Sequence, residues 1–565
     1  MFIREKKSQD KTISLIQIVE NQRVGVTTKQ RVIRHIGTGR TPEAIEQLKR
    51  IAGVIKSQLE NETISQQSKK ASPLFATKAG NITVLSKKLL VDVSKLQEKT
   101  RLILGIHDVY GYLYEQLGFS NLFTRPRQRE ESAKILREIV LARIANPVSK
   151  RASVELLEEK FGISLDLDSV YQMMDKIDDP FCERIQQRAL AETLKLTGEK
   201  LRVLFYDAST LYFESFIEDA LKQNGYSKDM KFNQPQVLLA LFVTEKGLPI
   251  GYELFPGSTF EGHTLIPVLE KLKERYQLDD VVFVADRGLF SEDNLKALEE
   301  KKFKYIVGAR IKNVPKKLQN EILNPDNYKI IDIQFKSAKQ PKKKPEQKIA
   351  IFEHGKGRQL IVHYSDVRAR KDEHDRSKSI EKLYKKLSKS KDPKSLLNNY
   401  GYKKYLEVKG EAKIEVNQAK IDSAACWDGL VGVTTNITDV NPEQILNYYR
   451  GLWQIEESFR INKQDLKMRP IYHWKPHRVR AHIAISFIAF VCVRYLEYLV
   501  LARSQKLSLE AIRKSLLRVQ ASILEDTESG KTFLLTSPIP PHAKKIYQVV
   551  GIKIPPCTTE IQRGA

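Results

Sequence analysis

Cysteine is scarce in this chain of 565 residues, and no two cysteines lie close together in sequence. The four are Cys182, Cys426, Cys492 and Cys557, and none belongs to a Cys-x-x-Cys pair. This excludes a fold that is held together by disulfide bonds and argues against a zinc site made of cysteines. We expect the chain to work in the cytoplasm.

Long apolar runs are also missing. The most apolar stretch, Ile483–Val493, is ended by Arg494. It has about half of the roughly 20 residues that a membrane-spanning helix needs, so we expect a buried helix there and no contact with a membrane. The N-terminal residues Met1–Lys7 have no apolar core of the kind found in secretory signals, so export is not expected.

Negative charge is in short supply. The chain has 69 Asp and Glu residues against 95 Lys and Arg residues, which gives a net charge of +26. Such an excess attracts polyanions and speeds encounters with them. Nucleic acid is therefore the first candidate partner, and an anionic membrane is a weaker second.

The chain length predicts about three to four folding units. Residues 1–100 combine alternating strand patterns with a polar linker, and 101–198 show the three- and four-residue spacing of amphipathic helices. The basic residues of that helical module suit a DNA contact, although a solvated basic face is an equal alternative. Residues 199–310 have strands in a row followed by strand-helix alternation, which predicts a mixed sheet with flanking helices.

The second half of the chain has a different organisation. Residues 311–438 contain isolated strand patterns among charged stretches, which predicts a β-rich insertion. Residues 439–500 return to helical patterns, and 501–565 are expected to be a C-terminal helical region and tail. The pair Asn441-Pro442 is typical of a helix start, and we expect one helix from there to about Lys463.

Two aspartates directly follow apolar strand patterns. Asp207 comes after Val203–Tyr206, and Asp286 comes after Val281–Ala285. If the two strands are neighbours, the carboxylates lie side by side, and a divalent cation would relieve their repulsion. Taken alone, an aspartate at a strand end is more often a turn former or a helix cap.

A third carboxylate, Glu456, lies on the helix expected after Asn441. On a continuous helix Tyr449, Glu456 and Arg460 would share one face, with Lys463 at its edge. The alternative is an ordinary amphipathic helix with surface ion pairs, and only the two aspartates favour the functional interpretation.

These residue types fit phosphodiester chemistry. Three carboxylates suit two Mg²⁺ ions, which activate the attacking oxygen and stabilise the leaving one, and Mn²⁺ would serve as well. The cations Arg287, next to Asp286, and Lys463, about two helical turns after Glu456, are placed to neutralise phosphate.

Three segments together resemble the DDE transposases of bacterial insertion sequences. They are Tyr206–Thr210, then Val284–Gly288, then Tyr449–Glu457 with Lys463 and Arg469-Pro470 downstream. The spacing is similar to the insertion-sequence-four group, whose signature is Tyr, Arg three residues on, Glu four further and Lys seven beyond. This spacing makes Glu456, rather than its neighbour, the third acid.

The chain departs from that group at one position. Leu452 stands where the signature arginine would be, and Arg450 would lie about 160° away on a helix. In that group the signature residues bind DNA near the cleavage site, and they also bind a hairpin intermediate. The segment is therefore identified as a variant signature.

The resemblance implies an α/β fold with a ribonuclease-H-like core interrupted by the insertion, and N-terminal β and helical regions that bind DNA. It implies an endonuclease and strand transferase in a prokaryotic cytoplasm, associated with the nucleoid when bound to DNA. Asp207, Asp286 and Glu456 would hold the metal ions. A homodimer would bring two double-stranded transposon ends to target DNA, and the DNA-contacting residues would be Tyr449, Lys463, Arg287 and Arg460.

Two other functions remain open on the sequence. One is a repurposed DNA-binding protein without catalysis, and the other is a ribonuclease-H-like nuclease that cannot join strands. Trp453 and Trp474 are interpreted as core residues rather than base-stacking ones. His473, His477 and His482 are interpreted as structural rather than as zinc ligands.

Overall fold

The fold is described from a computed structural model of the chain. It describes all residues except 8–12, 25–26, 43, 47, 50–51, 54–55, 57–90, 125–128, 215–216, 227–233, 277–279, 290, 332–345, 356, 390–402, 410–412, 504–506 and 562–565. The chain divides into two compact units. The terminal unit is Met1–Leu201, Tyr206–Thr264 and Gln454–Ala565, and the central unit is Arg202–Phe205 and Leu265–Trp453.

The strands are β1 (Phe2–Lys7), β2 (Ser14–Val24), β3 (Thr27–Gly39), β4 (Leu96–Ile103), β5 (Val203–Tyr212), β6 (Gln236–Thr244), β7 (Pro249–Pro256), β8 (Val282–Ala285), β9 (Lys304–Ala309), β10 (Lys329–Ile330), β11 (Gln347–Glu353), β12 (Gln359–Ser365), β13 (Leu406–Lys409), β14 (Lys413–Val416), β15 (Leu430–Thr435), β16 (Gln520–Asp526), β17 (Thr532–Thr536) and β18 (Thr558–Ile561). Strands β5 to β9 all lie within residues 199–310, where strand patterns were predicted, and β5 extends beyond the predicted Val203–Tyr206.

The α-helices are α1 (Tyr112–Gln116), α2 (Arg129–Ala145), α3 (Lys150–Phe161), α4 (Leu167–Asp175), α5 (Asp179–Thr197), α6 (Leu265–Tyr276), α7 (Glu292–Glu300), α8 (Lys316–Leu323), α9 (Asp366–Lys389), α10 (Gln418–Ala425), α11 (Pro442–Arg450), α12 (Trp453–Arg460), α13 (Pro476–Ala502), α14 (Leu509–Leu517) and α15 (Pro541–Val550). Side-chain caps begin several of them: Ser149, Asp166 and Asp178 accept from the third residue of α3, α4 and α5 respectively.

The central unit is built on a mixed sheet. Its strand order is β10-β11-β12-β15-β9-β8, with β8 and β9 parallel and the other pairs antiparallel. The start of β5 lies beside β8, where the backbone N–H of Val282 donates to the carbonyl of Arg202 at 2.9 Å. Strands β11, β12 and β15 come from the predicted insertion, so part of the insertion extends this sheet. The insertion also contains the helix α9.

The terminal unit contains the rest of β5, the antiparallel pair β6 and β7, and most of the helices. Strands β1 to β3 form an antiparallel sheet, which confirms the predicted N-terminal β-motif. The predicted polar linker lies outside the described residues. Helix α13 is long and apolar enough to cross a membrane by length and composition alone, but 89% of its most apolar window is buried inside the protein. Buried core helices of soluble proteins share this pattern.

The C-terminal region differs from the expected helices and tail. It contains α14 and α15, but also β16, β17 and β18, which form a sheet with β4 in the order β18-β17-β16-β4. Pairing with β4 is a contact between distant parts of the chain, and strands stabilised in this way have weak local signals. The proposed boundaries near 100, 198, 310, 438 and 500 stay predictions.

Candidate active site

Asp207 lies in the middle of β5 rather than at its end. The strand continues through Ala208–Leu211, whose side chains are buried, to Tyr212. The Asp207 carboxylate is half-buried, and its Oδ1 accepts from the backbone N–H of Ala208 at 2.8 Å. A carboxylate within a core strand is held more firmly than one in a turn, which suits a metal ligand.

Lys463 contacts the strand that carries Asp207. The Lys463 ammonium donates to the hydroxyl of Ser209, and its charge lies 5.7 Å from the ring centre of Phe459. Alternate residues of a strand share a face, so Ser209 and Asp207 lie on the same side of β5. Lys463, which was predicted to contact DNA, therefore lies on the same side of β5 as Asp207, the predicted metal ligand.

The helix that carries Glu456 is shorter than expected. One helix was predicted from Asn441 to about Lys463, but α11 ends at Arg450 and α12 begins at Trp453. A π-helical turn, Ile461–Asp465, then continues α12. A methyl group on Gly451 would lie 2.4 Å from the Phe205 ring, so this close approach requires glycine at the break.

Because of this break, Tyr449, Glu456 and Arg460 do not belong to one continuous helix as predicted. Glu456 is exposed on α12, while Ile455 and Phe459 are buried on an adjoining side of that helix. Within α12, Glu456 still lies at the margin of an apolar stripe, which is the arrangement predicted for the longer helix.

Arg460 is engaged in an ion-pair network. Its guanidinium donates to both carboxylate oxygens of Glu457 at 2.7 and 2.6 Å, and to Asp465 at 3.1 Å. The hydrogen bond from Arg460 lowers the pKa of Glu457, with burial opposing it. Glu457 is therefore the ion-pair partner of Arg460. The DNA contact predicted for Arg460 stays a prediction.

Asp286 and Tyr449 meet in the central unit. Asp286 is exposed immediately after β8, and its Oδ1 accepts from the backbone N–H of Arg287 at 2.8 Å. The Tyr449 hydroxyl, near the end of α11, lies beside Asp286. Burial, followed by the charge of Asp286, raises the pKa of Tyr449 to about 12, so the phenol stays protonated.

Gly308 makes room for this pair. A methyl group at position 308 would lie 2.4 Å from the Tyr449 hydroxyl and 3.1 Å from the Arg287 Cβ. Gly308 belongs to β9, beside β8, so the missing side chain lets α11 bring its tyrosine against the edge of the sheet. Sequence reasoning missed this residue. A glycine inside an otherwise apolar strand pattern was the available signal.

A cleft of about 990 Å³ opens next to Asp286 and Tyr449 in the central unit. Cationic side chains line it more often than acidic ones. The cations are Arg287, Arg310, Lys312, Arg368, Arg376 and Lys404, and the acids are Asp286, Asp372, Asp375 and Asp428. The cleft thus joins a predicted metal ligand to a basic surface suited to phosphates.

Arg450 does not take the place of the missing signature arginine. Its Nη2 lies 3.1 Å from His363 Nε2 and 3.4 Å from Gln347 Oε1, both on strands of the central sheet. Burial lowers the pKa of Arg450 to about 10. Leu452 is itself buried, so an arginine there would need rearrangement.

The two tryptophans contradict the core interpretation. Trp453 is 56% exposed and Trp474 is 71% exposed, as is the neighbouring Tyr472 at 60%. Both tryptophans adjoin helix starts, where polar neighbours keep them at the surface. They remain available for contact with a partner.

The three predicted acids fall in different units. Asp207 and Glu456 belong to the terminal unit, and Asp286 belongs to the central unit. Within the described residues, no group of three or more His, Cys, Asp or Glu side chains is arranged to hold a metal ion. The predicted ligands are all carboxylates, a donor set that fits a hard cation such as Mg²⁺. Their shared metal site stays a prediction.

A family model described as the transposase DDE domain matches residues 198–492. The chain belongs to this family. A second model, the N-terminal domain of IS1634 family transposases, matches residues 3–67. These matches confirm the predicted DDE transposase of an insertion sequence, and with it the ribonuclease-H-like mixed α/β fold. The protein is a metal-dependent enzyme that cuts DNA and transfers strands.

Two solved transposase structures show weak likeness to this DDE transposase. A cryo-EM structure of the piggyBac transposase synaptic complex with hairpin DNA is 10% identical, covers 73% of this chain and 76% of that chain, and has a TM-score of 0.36. A Mos1 transposase paired-end complex with the left transposon end is 16% identical, with coverages of 32% and 60% and a TM-score of 0.14. Comparison with curated proteins finds no match.

Proposed function

We propose that this transposase binds the terminal repeats of its own insertion sequence as a homodimer and cuts them with two Mg²⁺ ions. Asp207, Asp286 and Glu456 are the proposed metal ligands. The freed 3′-hydroxyl then attacks target DNA. The enzyme would work in the cytoplasm, on the nucleoid. The observation that carries the proposal concerns the first and last residues of the signature. Tyr449 lies beside the proposed ligand Asp286, and Lys463 contacts the strand that carries Asp207.

The first of these contacts is made by Tyr449. Its protonated hydroxyl lies beside Asp286, where a hydrogen bond from it would orient that carboxylate. The backbone N–H of Arg287 holds the Oδ1 oxygen of the same group. An oriented carboxylate is ready to accept a cation without further loss of side-chain freedom.

The second contact is made by Lys463, which is hydrogen bonded to Ser209 beside Asp207. An ammonium at this position would bind a phosphate oxygen next to the scissile bond. Arg287 would do the same beside Asp286. When bound, the metal ions supply a nucleophile activated at neutral pH and stabilise the leaving oxygen.

The test uses duplex DNA that carries the ends of the element, with Mg²⁺, and compares the wild type with Asp286→Asn, Asp207→Asn and Glu456→Gln. We expect each variant to cut about 10³-fold more slowly or worse. The three carboxylates would hold the metal ions together, and each variant removes one of these ligands. Glu457→Gln is the matched control. It lies next to Glu456 but pairs with Arg460, and we expect it to cut within about tenfold of the wild type.

Equal cutting by the wild type and Asp286→Asn would defeat the proposed site. A wild type that binds the ends but does not nick them would favour a DNA-binding protein without catalysis. A precut end tests the remaining alternative, since cleavage without joining would indicate a nuclease that lacks strand transfer.

A further inference from the structure

Two buried cations lie together in the terminal unit, outside the proposed active site. Arg143, on α2, and Lys150, the first residue of α3, are each 3% exposed. His482, which is 5% exposed, and the half-buried His473 adjoin them, with their ring centres 5.3 Å apart. We call Arg143, Lys150, His473 and His482 the buried basic cluster.

Backbone carbonyls hold Arg143 in place. Its Nη1 donates to the carbonyls of Leu466 and Lys467 at 2.9 and 3.3 Å, and its Nη2 lies 3.5 Å from the carbonyl of Val148. His482 Nε2 lies 3.1 Å from the carbonyl of Met468. The cluster therefore lies directly under the turn that follows Lys463.

Two donors of the cluster have no acceptor. Arg143 Nε is buried and has no hydrogen-bond partner within the described part of the chain. Among the same residues the Lys150 ammonium makes no hydrogen bond and no ion pair, although the side chain is only 3% exposed. Burial, and then the charge of Arg143, hold the pKa of Lys150 well below its usual range.

An interior position for an unpaired ammonium is unfavourable, because desolvation is not repaid by a partner. A second unpaired donor beside it adds to the cost. A methionine at position 150 would fill a similar volume without the cost of the ammonium. An anion in the cluster would give both donors a partner.

The helix terminus at Lys150 favours an anion as well. Lys150 begins α3, a helix of 12 residues, so the positive end of the helix dipole lies at the cluster. One member of the cluster is nearer the surface than the others. The half-buried His473 lies between the exposed Tyr472 and Trp474 in sequence, and the exposed Lys475 follows.

We propose that Lys150, Arg143 Nε and the first turn of α3 form a phosphate-binding site beneath Tyr472–Lys475, and that a backbone phosphate of the DNA occupies it. The proposal rests on the proposed function, since it assumes that the chain binds DNA. It adds a phosphate contact that uses none of the three acids, under the turn that follows Lys463. Free phosphate has the same chemistry, and the experiment separates the two sources.

The first measurement is the salt dependence of binding to duplex DNA that carries the element ends. Wild type is compared with Lys150→Met and with Lys195→Met, which removes one charge from an exposed lysine of α5. We expect the plot of log affinity against log salt to become shallower by about one for Lys150→Met, as expected for one lost phosphate contact. The control should keep the wild-type slope.

The second measurement is thermal unfolding in phosphate-free buffer and with added inorganic phosphate at matched ionic strength. We expect Lys150→Met to unfold at a higher temperature than the wild type without phosphate, because a buried charge is gone. Phosphate should raise the unfolding temperature of the wild type by more than that of the variant, since the basic cleft of the central unit is present in both proteins. If Lys150→Met fails to fold, Lys150→Gln takes its place in the same comparison.

The outcomes are distinguishable. An altered slope supports the DNA phosphate. An unaltered slope with a phosphate-specific shift of the wild type overturns the DNA source and assigns the site to free phosphate. If the wild type and Lys150→Met do not differ in either measurement, the site is overturned. Lys150 is then a buried lysine without a bound anion. Mg²⁺-dependent cutting by the wild type is checked first, so a failure of the proposed function is seen separately.

Discussion

At the scale of single residues, the sheet edge at Asp286 depends on a side chain that is absent. Gly308 leaves the space in which the Tyr449 hydroxyl reaches Asp286, against Arg287. The acid, the tyrosine and the glycine come from three separate parts of the chain. Their meeting gives Tyr449 a role that its spacing in the sequence alone could only suggest.

We predict that Gly308→Ala reduces Mg²⁺-dependent cutting of end-containing DNA by about 10- to 100-fold, because the methyl group displaces Tyr449 from Asp286. The matched control is Gly288→Ala, where a methyl group meets no atom within 4 Å. Initial cutting rates measure the effect, and thermal unfolding shows whether the fold is kept. Wild-type rates in a folded Gly308→Ala protein would remove Tyr449 from the mechanism.

At the scale of elements, the turn His107–Gly111 is tied to the C-terminal helix α15 by one polar contact. The hydroxyl of Tyr547, on α15, donates to the Asp108 carboxylate in this turn. Burial raises the pKa of Asp108 to about 6, and the hydrogen bond from Tyr547 opposes this only in part. The carboxyl is therefore easier to protonate in the folded protein than in the unfolded chain.

The pH dependence has a definite sign. A raised folded pKa means that Asp108 favours folding fully below about pH 4, and that this stability is lost as the pH rises through about 6. We predict that Asp108→Asn, which can still accept from Tyr547, stabilises the protein by about 2 kcal/mol at pH 8 and has little effect at pH 4. Denaturant unfolding at the two pH values measures this. The exposed Asp168→Asn is the control, and an equal effect at both pH values would contradict the assignment.

The broken helix is a second lesson at this scale. Helix α11, which carries Tyr449, ends at Arg450, whereas Glu456 lies on α12 and Lys463 lies in the π-helical turn that follows it. The signature therefore supplies its outer residues to two compact units rather than to one helical face. The spacing of the signature is a property of two helices and the turn between them.

At the scale of the whole molecule, the net charge of +26 governs the approach to DNA. We predict that affinity for duplex DNA falls by about 10³-fold or more between 50 and 200 mM salt, because each phosphate contact releases counterions. Equilibrium binding across this range measures it. Duplexes with and without the element ends should share most of the slope, since phosphate contacts carry no sequence preference. An affinity that does not change with salt would refute an electrostatic approach.

The sequence by itself determined much of the fold and the identity of the family. Strands β6 to β9 and the helices between them follow from local apolar periodicity, which is why a mixed sheet with flanking helices was predicted for residues 199–310. The short motifs around Asp207, Asp286 and Glu456 identified a DDE transposase, and the family match over 198–492 confirms it. These features depend on residues close together in the chain.

Tertiary structure alone decided the rest. The break at Gly451 depends on the Phe205 ring, and the pairing of β16 with β4 joins opposite ends of the chain. The same holds for the contact between Lys463 and Ser209 and for the burial of Lys150. Each results from packing between residues that are distant in sequence, and such contacts leave no periodic signal along the chain.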